Sequence, residues 1–82
     1  MSTDRFDKYL QDVKAEYDAG QDLYPALLSR EDVLSDIHGW IDQLGDVVKG
    51  NGTPAQFERV LVSIAATTLR SLMEVARKEG KL

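Results

Sequence analysis

Cysteine is absent from this sequence, proline occurs twice, histidine once, and positive charge is in deficit, with 10 Lys and Arg against 14 Asp and Glu. Without cysteine there are no disulfides and no thiolate metal sites, a composition at home in a reducing compartment. The net charge of −4 argues against nucleic acid as a partner, because gripping a phosphate backbone takes a basic surface. No run reaches the roughly 18 apolar residues of a membrane span. The opening Met1-Ser2-Thr3-Asp4-Arg5 carries no apolar signal segment, so a cytoplasmic protein with no membrane partner is expected. Strand signals are missing too, since Val, Ile and Thr recur in helical register and not in alternation. The one histidine, His38, has no nucleophile at a recognisable spacing, which leaves no candidate catalytic residue.

What remains is a chain of 82 residues, 43% hydrophobic and 29% charged, the balance of one small folded domain spanning 1–82. A single core is barely sufficient at this size, and association with further copies is a common remedy. The stretch from Thr53 to Glu79 organises the chain. Thr53-Pro54-Ala55-Gln56 reads as a capping box with proline at the first helical position, and Gly80 after the basic Arg77-Lys78 supplies a stop. Between them, Phe57, Leu61, Ile64, Thr68, Leu72 and Val75 form one seam, and Val62, Ala65, Leu69, Met73 and Ala76 form a second beside it. Only Arg59, Ser63, Thr67, Arg70, Glu74 and Arg77 make a polar strip, which is expected to face water. Such a wide apolar arc needs neighbours on two sides, so an oligomer is expected, with Trp40, Phe57, Leu61, Ile64, Ala65 and Leu69 at its interface.

Two further helices precede this one. Ser2 or Thr3 can cap a first, over roughly 3–19, in which Phe6, Tyr9, Leu10, Val13 and Tyr17 share a face and Gly20 ends the run. An irregular connection holding Pro25 follows, with Leu23, Leu27 and Leu28 tucked onto the core. Ser29 then caps a second helix over roughly 30–49, with Glu31 and Asp32 in its first turn. Val33, Ile37, Trp40, Leu44 and Val47 form its apolar seam, flanked by Leu34, Ile41 and Val48, and Gly50-Asn51-Gly52 closes it. The expected fold is all-α: three helices, the last two in a long antiparallel hairpin, assembled into an oligomeric bundle.

Two clusters could carry binding chemistry. Asp32 and Asp36 stand one turn apart on the acidic face of the second helix, as do Asp42 and Asp46, and Mg²⁺ takes carboxylate oxygens; the plainer reading is a solvated acidic surface. Arg59, Arg70 and Arg77 nearly line up on the third helix and could grip phosphate or an acidic partner, against the alternative of a solvated face interrupted by Glu74.

Three segments resemble the small MazG-like, all-α nucleoside triphosphate pyrophosphohydrolases of phages and bacteria. These are Val13-Lys14-Ala15-Glu16-Tyr17 with Gln21-Asp22, Leu34-Ser35-Asp36-Ile37-His38-Gly39-Trp40-Ile41, and Val60-Leu61-Val62-Ser63-Ile64-Ala65-Ala66. The resemblance implies Mg²⁺ held by carboxylates and a triphosphate oriented for attack by water. Asp36 matches one of those carboxylates, whereas Ile37, Trp40 and Val60 stand where others belong, and an apolar side chain cannot ligate Mg²⁺. A second likeness joins Ser63-Ile64-Ala65-Ala66-Thr67-Thr68-Leu69, Met73 and Arg77 to short helical phage proteins that sequester cyclic oligonucleotide signals. The expectation is a non-enzymatic interaction protein, a phage accessory factor or inhibitor that binds a host protein or nucleotide without a cofactor. The alternatives are a Mg²⁺-dependent pyrophosphohydrolase and a cyclic-oligonucleotide sponge.

Overall fold

The structure, a computed structural model, describes residues 3–23 and 30–80. Three helices account for nearly all of them: α1 (Thr3–Leu23), α2 (Arg30–Lys49) and α3 (Pro54–Lys78). No strand is present among the described residues. The expected caps at Ser2 and Ser29, and the connection through Pro25, Leu27 and Leu28, lie outside them.

The punctuation of α3 follows its sequence. The Thr53 hydroxyl accepts from the Gln56 amide at 3.1 Å, and the Gln56 side chain accepts from the Thr53 amide at 2.8 Å, so both arms of the capping box are made. At the other end Gly80 has φ 73°, a left-handed conformation that lets its amide turn back to the Arg77 carbonyl at 3.1 Å. The α2–α3 connection is equally tight. Asn51 takes the left-handed position at φ 60°, and the Gly52 amide donates to the Val47 carbonyl at 2.8 Å. A Cβ on Gly52 would meet Val47 Cγ1 at 2.6 Å, so only glycine fits that approach.

α1 departs from its expected end. It runs through Gly20 to Leu23, and Gly20 is buried, its carbonyl 3.4 Å from the Arg70 guanidinium of α3. A mid-helix glycine costs about 1 kcal/mol relative to alanine, a penalty that packing here offsets. Near its start, α1 is tied to α3 by the Tyr9 hydroxyl, which donates to Glu58 Oε1 at 2.8 Å. Arg5 in turn donates to the Tyr9 hydroxyl, and that bond, followed by attraction to Tyr9 and Glu58, holds its guanidinium above its ordinary pKa.

The packing has α3 at its centre. α1 and α2 each lie on α3, and among the described residues they do not pack on one another. The face that α3 offers to both is the reverse of the expected one. Ser63, Thr67, Arg70, Ser71 and Glu74 are all buried, whereas Phe57, Leu61, Leu69, Leu72 and Val75 are exposed. The polar strip is inside because its hydroxyls are short and can be served locally; the Ser71 hydroxyl, for example, donates to the Thr67 carbonyl at 2.8 Å. On α2 the expected seam of Val33, Ile37, Trp40, Leu44 and Val47 is half-buried against α3, with Leu34, Ile41 and Val48 left in the open. On α1, Tyr9, Val13 and Tyr17 are half-buried, while Phe6 and Leu10 of the same expected face are exposed.

Replacing Thr53 by alanine removes one arm of the capping box and is expected to cost about 1 kcal/mol, read as a lower urea midpoint with an unchanged slope.

Candidate functional site

Because α1 and α2 diverge over the polar face of α3, a trough opens between them with that face as its floor. Its inner chamber is a cavity of about 110 Å³, walled by Glu16, Tyr17 and Gly20 from α1 and Asp36 and Trp40 from α2, over Ser63, Ala66, Thr67 and Arg70. A second cavity of about 370 Å³ shares Glu16, Gly20, Trp40 and Ser63 with it and adds Ala19, Gln43, Arg59 and Val60. The shared lining makes the two one continuous trough.

Arg70 closes the inner end. Its guanidinium donates to the Gly20 carbonyl of α1 and to Asp36 Oδ2 of α2, each at 3.4 Å, so a single side chain of α3 spans both walls. The Arg70 side chain is 10% exposed and that of Asp36 38%, which sets this ion pair partly out of water. Charge attraction at such a site exceeds that of a fully solvated pair, and the cost of removing one partner rises with it. One turn further on, Glu74 is buried and accepts a hydrogen bond from the exposed Arg77.

The three arginines expected to form one grip therefore divide. Arg70 is an interior tie, Arg59 is exposed and lines the outer trough, and Arg77 is engaged with Glu74. The expected acidic pair divides as well. Asp36 turns into the trough toward Arg70, whereas Asp32, Asp42 and Asp46 are exposed. No group of three or more His, Asp or Glu side chains able to hold a metal ion converges among the described residues. Trp40, expected with Phe57, Leu61 and Leu69 at an oligomer interface, lines the trough, whereas those three are exposed on the apolar arc of α3. Ile64 is half-buried, and Ala65 is exposed in the middle of the apolar arc. His38 is exposed and lines neither cavity.

Glu16, Tyr17, Gln43, Ser63 and Thr67 had no place in the expected sites. A signal for the last two was present: the strip Ser63, Thr67, Arg70, Ser71 holds short hydroxyls and no lysine, and short hydroxyls can be buried at small cost when the preceding helical turn accepts their proton. Chemically the trough offers two aromatic rings, hydroxyls that donate or accept, the Arg70 cation paired with Asp36 at its inner end, the Glu16 carboxylate on its α1 wall and the Arg59 cation in its outer part. That set suits a flat, polar molecule better than an aliphatic one.

Asp36→Ala removes one acceptor from Arg70 and is expected to destabilise the fold by about 1–2 kcal/mol. Asp36→Asn, which keeps an acceptor, is expected to lose less. Urea denaturation of both variants checks the order.

No helix among the described residues is long and apolar enough to cross a membrane. Comparison of the chain with protein-family models, with curated proteins and with solved structures finds no match.

Proposed function

We propose that the protein is a non-enzymatic binding protein of the cytoplasm, and that its ligand site is the trough over the polar face of α3. The observation that carries this reading is that the polar side chains of the longest helix are turned inward and line a cavity. A helix that only had to hold a core together would do so more cheaply with aliphatic residues, since buried polar groups contribute little net stability. The ligand class is a nucleotide. Trp40 and Tyr17 supply ring surface for a base, Ser63 and Thr67 supply hydroxyls for its edge, and the exposed Arg59 at the mouth faces where a phosphate would leave the cavity. In this reading α2 and α3 form an antiparallel hairpin, which the Asp36–Arg70 pair at one end and the Val47–Gly52 approach at the other both support. A phage accessory factor that captures a host nucleotide, cyclic or linear, is a role consistent with such a site.

One observation favours a second reading, that of a MazG-like pyrophosphohydrolase. Glu16 and Asp36, from two different helices, both line the inner chamber, and carboxylates brought together in this way can hold Mg²⁺. Incubation with nucleoside triphosphates and Mg²⁺, with pyrophosphate release as the readout, separates the two. Turnover that Asp36→Ala abolishes would replace binding by catalysis.

The binding reading predicts that at least one member of a panel of nucleoside mono- and triphosphates and cyclic dinucleotides raises the melting temperature. At a concentration of about 100 times Kd the gain is about 2.7 kcal/mol. Ser63→Trp, which fills the trough, is expected to remove that gain. A panel with no stabilising member sinks the reading.

A further inference from the structure

The side of α3 turned away from the trough is broad and apolar, and neither α1 nor α2 covers it. Phe57, Leu61, Leu69, Leu72 and Val75 are 38% to 62% exposed there. At 100° per residue they span an arc of about 120° with Ala65 inside it; the one carboxylate in the arc is Glu58 at its N-terminal end, where it accepts from the Tyr9 hydroxyl of α1. The one hydroxyl in the arc, that of Thr68, is already turned back to the Ile64 carbonyl at 2.9 Å, so it presents its methyl group. α2 extends the same surface. Asp36 and Trp40 mark its trough edge and Ile37 and Leu44 sit against α3, so Leu34, Ile41 and Val48, each seven residues from the next and 52% to 64% exposed, lie on the edge away from the trough.

The interior shows the complementary deficit. Val60 and Ala66 are the only buried apolar residues among those described, and no large side chain is fully buried. Ordering the backbone costs conformational entropy at every residue, and among the described residues the interior buries little apolar surface against that cost. Covering the apolar back supplies that missing burial.

We infer that a second copy of this chain covers it, with α3 packed on α3 about a two-fold axis near Ala65. A cover that supplies this burial has to be present in step with the chain, and another copy always is. The surface is also suited to itself. Along the ridge Leu61, Ala65, Leu69 the side chain falls to a methyl group at the centre, leaving a hollow between two leucines. A two-fold axis there sets Ala65 against Ala65, so the two backbones can approach closely while Leu61 of each copy packs beside Leu69 of the other. Eight half-open large apolar side chains offer on the order of 600 Å², the greater part of the roughly 800 Å² that a stable interface removes from each partner. The trough lies on the opposite side of α3 and stays open in the dimer.

Because the chain has no cysteine, a thiol introduced at one position reports on that position alone. Sedimentation velocity of the wild type at micromolar concentration is expected to show a dimer or an even multiple of it. Leu72→Glu is expected to weaken association at least tenfold. Under mild oxidation the Ala65→Cys variant is expected to form a disulfide-linked dimer many times faster than Lys14→Cys, whose side chain is 75% exposed on α1. Should Leu72→Glu fail to fold, the comparison of the two cysteine variants decides. A compact, cooperatively folded wild-type monomer overturns the inference. So does equal cross-linking at the two positions, or a chain that folds only when a different protein is supplied.

Discussion

The Arg70 guanidinium joins three helices of which two never pack on each other. It leaves α3 in the centre, reaches the Gly20 carbonyl on α1 and the Asp36 carboxylate on α2, and is buried in doing so. A cation at that depth constrains its surroundings in both directions. It requires acceptors from each flanking helix, which fixes where α1 and α2 sit along α3, and it forbids aliphatic side chains from closing over it. Gly20 supplies a backbone carbonyl from the α1 side, and Asp36 a carboxylate from the α2 side. The trough is the space left between these two walls.

From this constraint comes the division of α3 into two unlike sides. The side toward α1 and α2 carries Ser63, Thr67, Arg70, Ser71 and Glu74, with hydroxyl protons given to the helix itself where the geometry allows. The other side carries Phe57, Leu61, Leu69, Leu72 and Val75 and is open. In a self-sufficient small protein the two would be exchanged, with aliphatic residues inside and hydroxyls in water. The inversion separates polar side chains, held beside a cavity, from apolar ones, spread over the back. Polar residues lining a cavity sacrifice some core stability, and the exposed apolar residues leave burial still to be gained.

Local rules govern the helix ends, and here sequence and structure agree closely. Thr53 and Gln56 close the capping box, Gly80 takes a left-handed backbone, and α2 spans Arg30–Lys49 as its pattern predicts. The end of α1 is different. Gly20 carries the sign of a helix stop, yet α1 continues through it to Leu23, and the residue is buried with its carbonyl turned to Arg70. The seam on α2 from Val33 to Val47 was readable, since half-burial against one neighbour is what a single amphipathic stripe specifies. The trough was not, because its lining comes from three helices and no spacing within any one of them shows the convergence.

Three features were already settled by the order of the residues: that the chain is helical, where α2 and α3 start and stop, and that α3 has far more apolar surface than its own neighbours can cover. Each of these rests on backbone geometry or on periodicity, and both act over a few residues. Which side of α3 faces inward was settled later, when the helices met. Periodicity reveals that two faces differ but gives no direction; that comes from contacts distant in the chain, among them the reach of Arg70 to Gly20 and Asp36, residues 50 and 34 positions away.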